Sequence, residues 1–251
     1  MLGHKVSRER IGTELDGMLN GPDPTMALDL LRAMGLFEAV FEVHPSATED
    51  ITSKFATQGS ILGKVACKML TNWGDVFDPI EFSVDLSDSD VKRQTILGAL
   101  LLPLRCALVP NSKNKLQTMS SHIVRDSLKW KAKDADGIDV LHSVGADLLH
   151  VYQSLITMDD SLTPNDANAS VRVKLGRCLK KLKTLWPSGI FIACLLASAE
   201  AVPLGIEEAT AENIPWSETW SNLPADLTKP LEEVPDLHAQ YVSSKSMTHP
   251  F

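Results

Sequence analysis

The chain is poor in cysteine, in aromatic residues and in long apolar runs, and it has no excess of positive charge. Its four cysteines, Cys67, Cys106, Cys178 and Cys194, are scattered through 251 residues with no Cys-x-x-Cys pair and no histidine at ligand spacing. That scatter argues against a zinc site and against a disulfide framework, and it fits a reducing compartment. The longest apolar run, residues 96–104, contains Pro103 and is too short to cross a bilayer. The N-terminus is charged and polar from His4 to Glu14, so no secretory signal is read there. The expected location is intracellular, with cytoplasm, nucleus and organelle not distinguished, and no membrane partner. The sequon Asn168-Ala169-Ser170 is then a chance match. A net charge of −8 means that the chain as a whole does not bind nucleic acid by bulk electrostatics.

What is present is a 44% hydrophobic content, enough to bury one sizeable core or two small ones. The charge is unevenly placed. From residue 200 onward nine carboxylates face only Lys229 and Lys245, a balance of −7. Subtracting that from −8 leaves −1 for the first 199 residues, where a local basic face is possible.

Residues 6–32, VSRERIGTELDGMLNGPDPTMALDLLR, organise the rest. Ser7 is a good N-cap. Arg10 and Glu14 stand four apart and face each other on a helix. Ile11, Leu15, Met18 and Leu19 form an apolar stripe at helical spacing. Asn20-Gly21-Pro22 breaks the helix, and a second begins near Pro24 with Ala27, Leu28, Leu31 and Met34 on its own stripe. The spacing predicts a helical hairpin with its apolar faces turned together.

The core Ser7-Arg8-Glu9-Arg10-Ile11, then Glu14-Leu15, a Gly-Pro break, and Ala27-Leu28-x-x-Leu31-x-x-Met34-Gly35-Leu36 resembles the neck of class II tRNA nucleotidyltransferases. These are the CCA-adding enzymes and their poly(A) polymerase relatives, and the likeness is to eukaryotic, plant-like members. Ser7, Glu9, Arg10 and Glu14 would be the residues of that structural motif. The resemblance implies an all-α fold, a curved array of neck, body and tail helices with no significant sheet. It also implies tRNA as partner, with no DNA, and leaves room for a protein partner or a separate head domain. The family's catalytic head, with its paired aspartates, has no counterpart in this sequence. Magnesium, CTP and ATP are thus implied for the intact family enzyme but have no site here, no catalytic or metal residue is assigned, and catalysis by the chain alone is not expected. The alternative from another class is a non-enzymatic helical scaffold or protein-interaction module.

Further along, the expected divisions are 1–50 (end of neck), 51–156 (body), 157–200 (tail) and 201–251 (an acidic, Pro-containing extension, partly disordered). Residues 51–73 read as a helix capped by Thr52 or Ser53. Asp88-Ser89-Asp90 resembles a metal pair only superficially and reads as the cap of a helix over 91–108, which Pro103 should kink. Residues 117–133 carry Arg125, Lys129 and Lys131 on what reads as a body helix. A tRNA phosphate contact and an ordinary solvated face are equally open there. Residues 135–156 are a long amphipathic helix whose His142 and His150 lack a third metal ligand, and 157–170 read as a polar linker. Residues 171–183, VRVKLGRCLKKLK, are the most basic stretch and read as an amphipathic helix that could meet a membrane, a partner helix or RNA; the resemblance, in which the tail holds tRNA, makes Arg177, Lys180 and Lys181 candidate RNA contacts. Trp186-Pro187 should end that helix, with an apolar helix over 188–200 beneath it.

Overall fold

The computed structural model of the protein describes residues 6–71, 88–156 and 164–197. Helix α1 (Arg8–Asn20) starts where the Ser7 hydroxyl accepts from the Arg10 amide at 3.3 Å. Helix α2 (Pro24–Ala33) starts where Asp23 accepts from the Met26 amide at 2.8 Å, with Pro24 in the first turn where its missing N–H costs nothing. Gly35, at φ +65°, ends α2: the Leu36 amide turns back to the Leu31 carbonyl at 2.8 Å, a closure that favours a residue without Cβ. One turn, α3 (Phe37–Val40), follows, and Phe37 packs against Phe41 and Phe55 with centroids at 4.7 and 5.6 Å.

Helix α4 (Glu49–Thr71) begins earlier than its sequence suggests. Its cap is Thr48, whose hydroxyl accepts from the Ile51 amide, rather than Thr52 or Ser53, which lie within the first turns. Residues 72 and 73 fall outside the described residues. Helix α5 (Ser89–Leu101) is capped by Asp88, which accepts from the amides of Asp90 and Val91. It is shorter than 91–108, because Pro103 has no N–H for the Ala99 carbonyl. The Leu102 amide turns to Ala99 instead, and Leu102–Leu104 form one 3-10 turn. Nearly every residue of α5 from Gln94 on is buried, so this helix is the axis of the core, packed by α4 and by the helices described next.

A two-stranded antiparallel ribbon, β1 (Leu108–Pro110) with β2 (Leu116–Thr118), pairs Val109 with Gln117. After it come α6 (Met119–His122) and a π turn (Ile123–Ser127). Helix α7 (Ala132–Ile156) is followed by α8 (Pro164–Leu182), a 3-10 turn (Lys183–Leu185) and α9 (Trp186–Ala197). Two readings of the sequence need correction here. Residues 164–170 belong to α8 and not to a linker, since Pro164 takes the first helical position. Trp186-Pro187 opens α9 for the same reason and does not merely close α8. Among the described residues the fold is thus helical apart from two three-residue strands. No helix among the described residues is long and apolar enough to cross a membrane. The acidic segment 201–251 lies outside the described residues.

The turn at Pro103 leaves a trace in the core. The Leu102 amide serves Ala99, and the Gly98 carbonyl meets His142 Nε2 of α7 at 2.8 Å. Burial holds the His142 pKa down to about 4, against the small upward pull of that carbonyl. An unfolded histidine titrates near 6.5, so below that pH the unfolded chain binds a proton that the native one refuses. Stability should therefore be intact above about pH 6.5 and fall toward pH 4, by about 3 kcal/mol across the window. Denaturant titrations at stepped pH check this, and His142→Asn should flatten the slope.

Candidate nucleic-acid interface

The hairpin motif is held by a residue that its periodicity does not single out. Arg8 donates from Nε to the Ser127 carbonyl (2.7 Å), from Nη1 to the Ala39 carbonyl (2.7 Å), and from Nη2 to the Val40 carbonyl (2.9 Å) and the Ser127 hydroxyl. Glu42 lies 3.5 Å from the same guanidinium. The Ser127 hydroxyl in turn donates to the Val40 carbonyl and accepts from the Glu42 amide. One planar fork therefore ties α1, α3 and the π turn together. Arg10 and Glu14 stand outside this knot, with Nε 3.9 Å from the carboxylate and side chains 75% and 66% exposed. Glu9 is exposed as well, and its carbonyl accepts from Thr13. An open pair of this kind is worth about 0.3–0.5 kcal/mol, so Glu14→Ala should leave the melting temperature within about 1–2 °C of the parent.

The contact between α1 and the segment after the π turn is close. A Cβ on Gly12 would stand 1.9 Å from the Leu128 carbonyl oxygen, so only glycine fits there. The Gly12 carbonyl accepts from the Trp130 indole at 3.0 Å. Arg93 of α5 lies 4.8 Å from the Trp130 ring centre and pairs with Asp16, Asp90 and Asp134 at 2.7, 2.8 and 2.9 Å. Lys133 adds a 2.6 Å bond to Asp90, and that hydrogen bond holds the Asp90 carboxyl below the usual carboxylate range.

This knot explains why residues 117–133 are not the basic body helix that their sequence suggests. The chain leaves α6 in a π turn, Lys129 sits at φ +55°, and the Trp130 amide reaches back to the Val124 carbonyl. Arg125, Lys129 and Lys131 are exposed but do not form one helical row. Arg125 is engaged by Asp136 at 2.6 Å, and Lys129 lies 4.0 Å from Asp126.

The basic stretch of α8 is different. Arg172, Lys174, Arg177, Lys180, Lys181 and Lys183 are all exposed, while Val171, Cys178 and Leu182 turn inward to α7 and α9. Lys174, Arg177 and Lys181 follow i, i+3, i+7 spacing and share one side of the helix. Only Lys181 of the six has a carboxylate close by among the described residues, Asp147 at 3.4 Å. Between α7 and α8 runs an open groove of about 680 Å³, lined by Asp147, His150, Val151 and Ser154 on one wall and by Lys174, Arg177, Cys178, Lys180 and Lys181 on the other. Four cations and a single carboxylate thus face it.

Helix α7 also relates the two basic patches. Asp136, which holds Arg125, and Asp147, which holds Lys181, are eleven residues apart, just over three turns. They therefore lie on one side of α7, about 17 Å apart along its axis. Ser143, exposed, falls between them on that side. The arrangement suits a polyanion running along α7 from one patch to the other. Helical spacing within residues 171–183 was enough to find the α8 cations; the partners Asp136 and Asp147 and the anchors Arg8, Arg93 and Ser127 had no local signal.

Among the described residues, the carboxylates of the Asp88-Ser89-Asp90 pair are not free to hold the divalent ions of a nucleotidyl-transfer site. The Asp88 carboxylate is spent on capping α5, and Asp90 is committed to Arg93 and Lys133. His142 is buried on Gly98, whereas His150 is exposed at the groove. No cluster of three or more His, Cys, Asp or Glu side chains among the described residues is placed to hold a metal ion.

Comparison with known proteins gives three findings. Residues 4–49 match the family described as the probable RNA and SrmB-binding site of polymerase A. The chain is 24% identical over 200 residues to the mitochondrial CCA tRNA nucleotidyltransferase of Candida glabrata, covering 73% of this chain and 36% of that protein, so it spans about a third of that relative's length. No solved structure matches.

Proposed function

We propose, from the likeness of residues 4–49 to the RNA-binding family of polymerase A and of the chain to a CCA tRNA nucleotidyltransferase, that this chain serves as the C-terminal, RNA-holding region of such an enzyme and grips tRNA along α7 and α8. In this reading the chain positions an RNA 3′ end for CMP and AMP addition by carboxylates that lie elsewhere, and it is inactive in nucleotidyl transfer by itself. The observation that carries the reading is the α8 face. Five of its six cations have no carboxylate partner among the described residues, and three of those five, Lys174, Arg177 and Lys180, line a groove in an otherwise acidic protein. Cations left without protein partners are available to phosphate, and such contacts are indifferent to base sequence.

A gel-shift titration with deacylated tRNA at stepped salt tests it. Binding should weaken linearly in log–log form, with a slope that reports about four to six phosphate contacts at roughly 0.7–0.9 per contact. Absence of binding at 50 mM salt by a chain with its full helical circular dichroism rules the reading out.

A second reading, a protein-binding surface, rests on α2. Met26, Leu30 and Met34 recur every four residues on its outer side and are 64%, 52% and 60% exposed. Large apolar side chains aligned in this way mark a surface that another protein segment covers.

A further inference from the structure

The α8 face has a second candidate occupant within the same chain. Residues 200–236 carry nine carboxylates against Lys229 alone, a net of −8, and they follow α9 directly. Residues 171–183 carry six cations and no carboxylate. The face offers more than charge: Val173, Leu175 and Leu179 of α8 are 54%, 38% and 38% exposed among these cations. The acidic stretch brings matching apolar groups, Ile214, Trp216 and Trp220, between its carboxylates.

Reach does not limit the encounter. The basic residues from Arg172 to Lys183 span about 17 Å of helix, and α9, about 18 Å long, can carry the chain at most that far from Lys183. The ten residues from Ala197 to Glu207 extend up to about 35 Å. Every carboxylate from Glu207 onward can therefore arrive at the groove.

We propose that the acidic stretch 200–236 docks on the basic, partly apolar face of α8 and its groove against α7, and that tRNA must displace it. The competition rests on the RNA reading above; the docking does not. A tethered anionic segment has a high effective concentration at the face, so even weak contacts occupy it. Polyanionic RNA offers more charge and displaces the segment, whereas incidental acidic or weakly binding RNA does not. The competitor lowers every ligand's apparent affinity by the same factor, so affinity ratios are unchanged but weak binders fall below the level needed to occupy the face.

Zero-length carbodiimide coupling of the full chain, read by peptide mass spectrometry on the monomer band, tests the docking without RNA. At 50 mM salt, Lys174, Lys180, Lys181 or Lys183 should couple to carboxylates in 207–236, with a yield that falls several-fold at 500 mM salt, as ionic contacts do. Adding deacylated tRNA should suppress the same couplings. The full-length variant Glu207→Gln, Glu208→Gln, Glu212→Gln, Glu218→Gln should lose most of the coupling and bind tRNA about three- to tenfold tighter at low salt. Absence of these couplings, or equal coupling to Lys113 and Lys115 of the β-hairpin, overturns the docking while leaving tRNA binding to stand or fall separately. Salt-sensitive coupling together with unchanged tRNA affinity in the variant overturns the competition. Coupling in a chain that does not bind tRNA at all upholds the docking and rejects the RNA reading.

Discussion

Arg8→Ala should destabilise the protein by about 3–4 kcal/mol. The guanidinium serves the carbonyls of Ala39, Val40 and Ser127 and the Ser127 hydroxyl, and its side chain is only 18% exposed. Hydrogen bonds to a charged donor contribute about 1.5–3 kcal/mol each, and they do not add fully when one fork makes them all. Removing the fork leaves acceptors in a cavity between α1, α3 and the π turn. For a domain of this size the melting temperature should drop by about 10 °C. Arg8→Lys should recover little, because an ammonium cannot span acceptors on three elements. Thermal melts of Arg8→Ala beside Arg10→Ala make the contrast: a large shift for the first, and about 1–2 °C for the exposed second.

The second large effect concerns RNA. Arg177→Gln, Lys180→Gln, Lys181→Gln in the full chain should weaken tRNA binding on the order of 10²-fold at low salt, since three phosphate contacts of about 1 kcal/mol each are lost. The salt slope should become shallower by about two to three. The matching triple at Arg125, Lys129 and Lys131 should cost less, about tenfold, because Arg125 already has Asp136 and Lys129 stands near Asp126. Both triples should melt near the parent, as exposed substitutions typically cost within about 0.5 kcal/mol. Equal affinity of both triples and the parent at low and moderate salt is the outcome that removes RNA from the account.

The sequence carried the parts of this structure that depend on neighbours a few residues apart. Ser7, Asp23 and Asp88 cap helices with their own side chains, and Pro24 opens α2 by its own geometry. The α8 cations could be read for the same reason, since i, i+3 and i+7 spacing needs no partner. The π turn could not. Val124, Arg125, Asp126 and Ser127 have the composition of an ordinary helix, and what breaks it is tertiary. Trp130 must reach the Gly12 carbonyl, and Ser127 must turn its hydroxyl to Val40 and Glu42. Arg8 was equally hidden, with acceptors 31, 32 and 119 residues away, whereas Arg10 and Glu14 drew notice because their pairing is local. Pro164 and Trp186-Pro187 looked like breaks because proline does break a helix interior; at the first turn it starts one.

A tRNA lying along α7 between the two basic patches would pass over Ser143, at the middle of that path. Full-length protein with the photoreactive residue p-benzoylphenylalanine in place of Ser143 should be irradiated with labelled deacylated tRNA, beside a control with the same residue in place of Thr57, exposed on α4. A covalent tRNA adduct is expected at position 143, with a yield several-fold above that at position 57 and suppressed by the Arg177, Lys180, Lys181 triple. Equal yields at the two positions, or an adduct at 57 and none at 143, would contradict it.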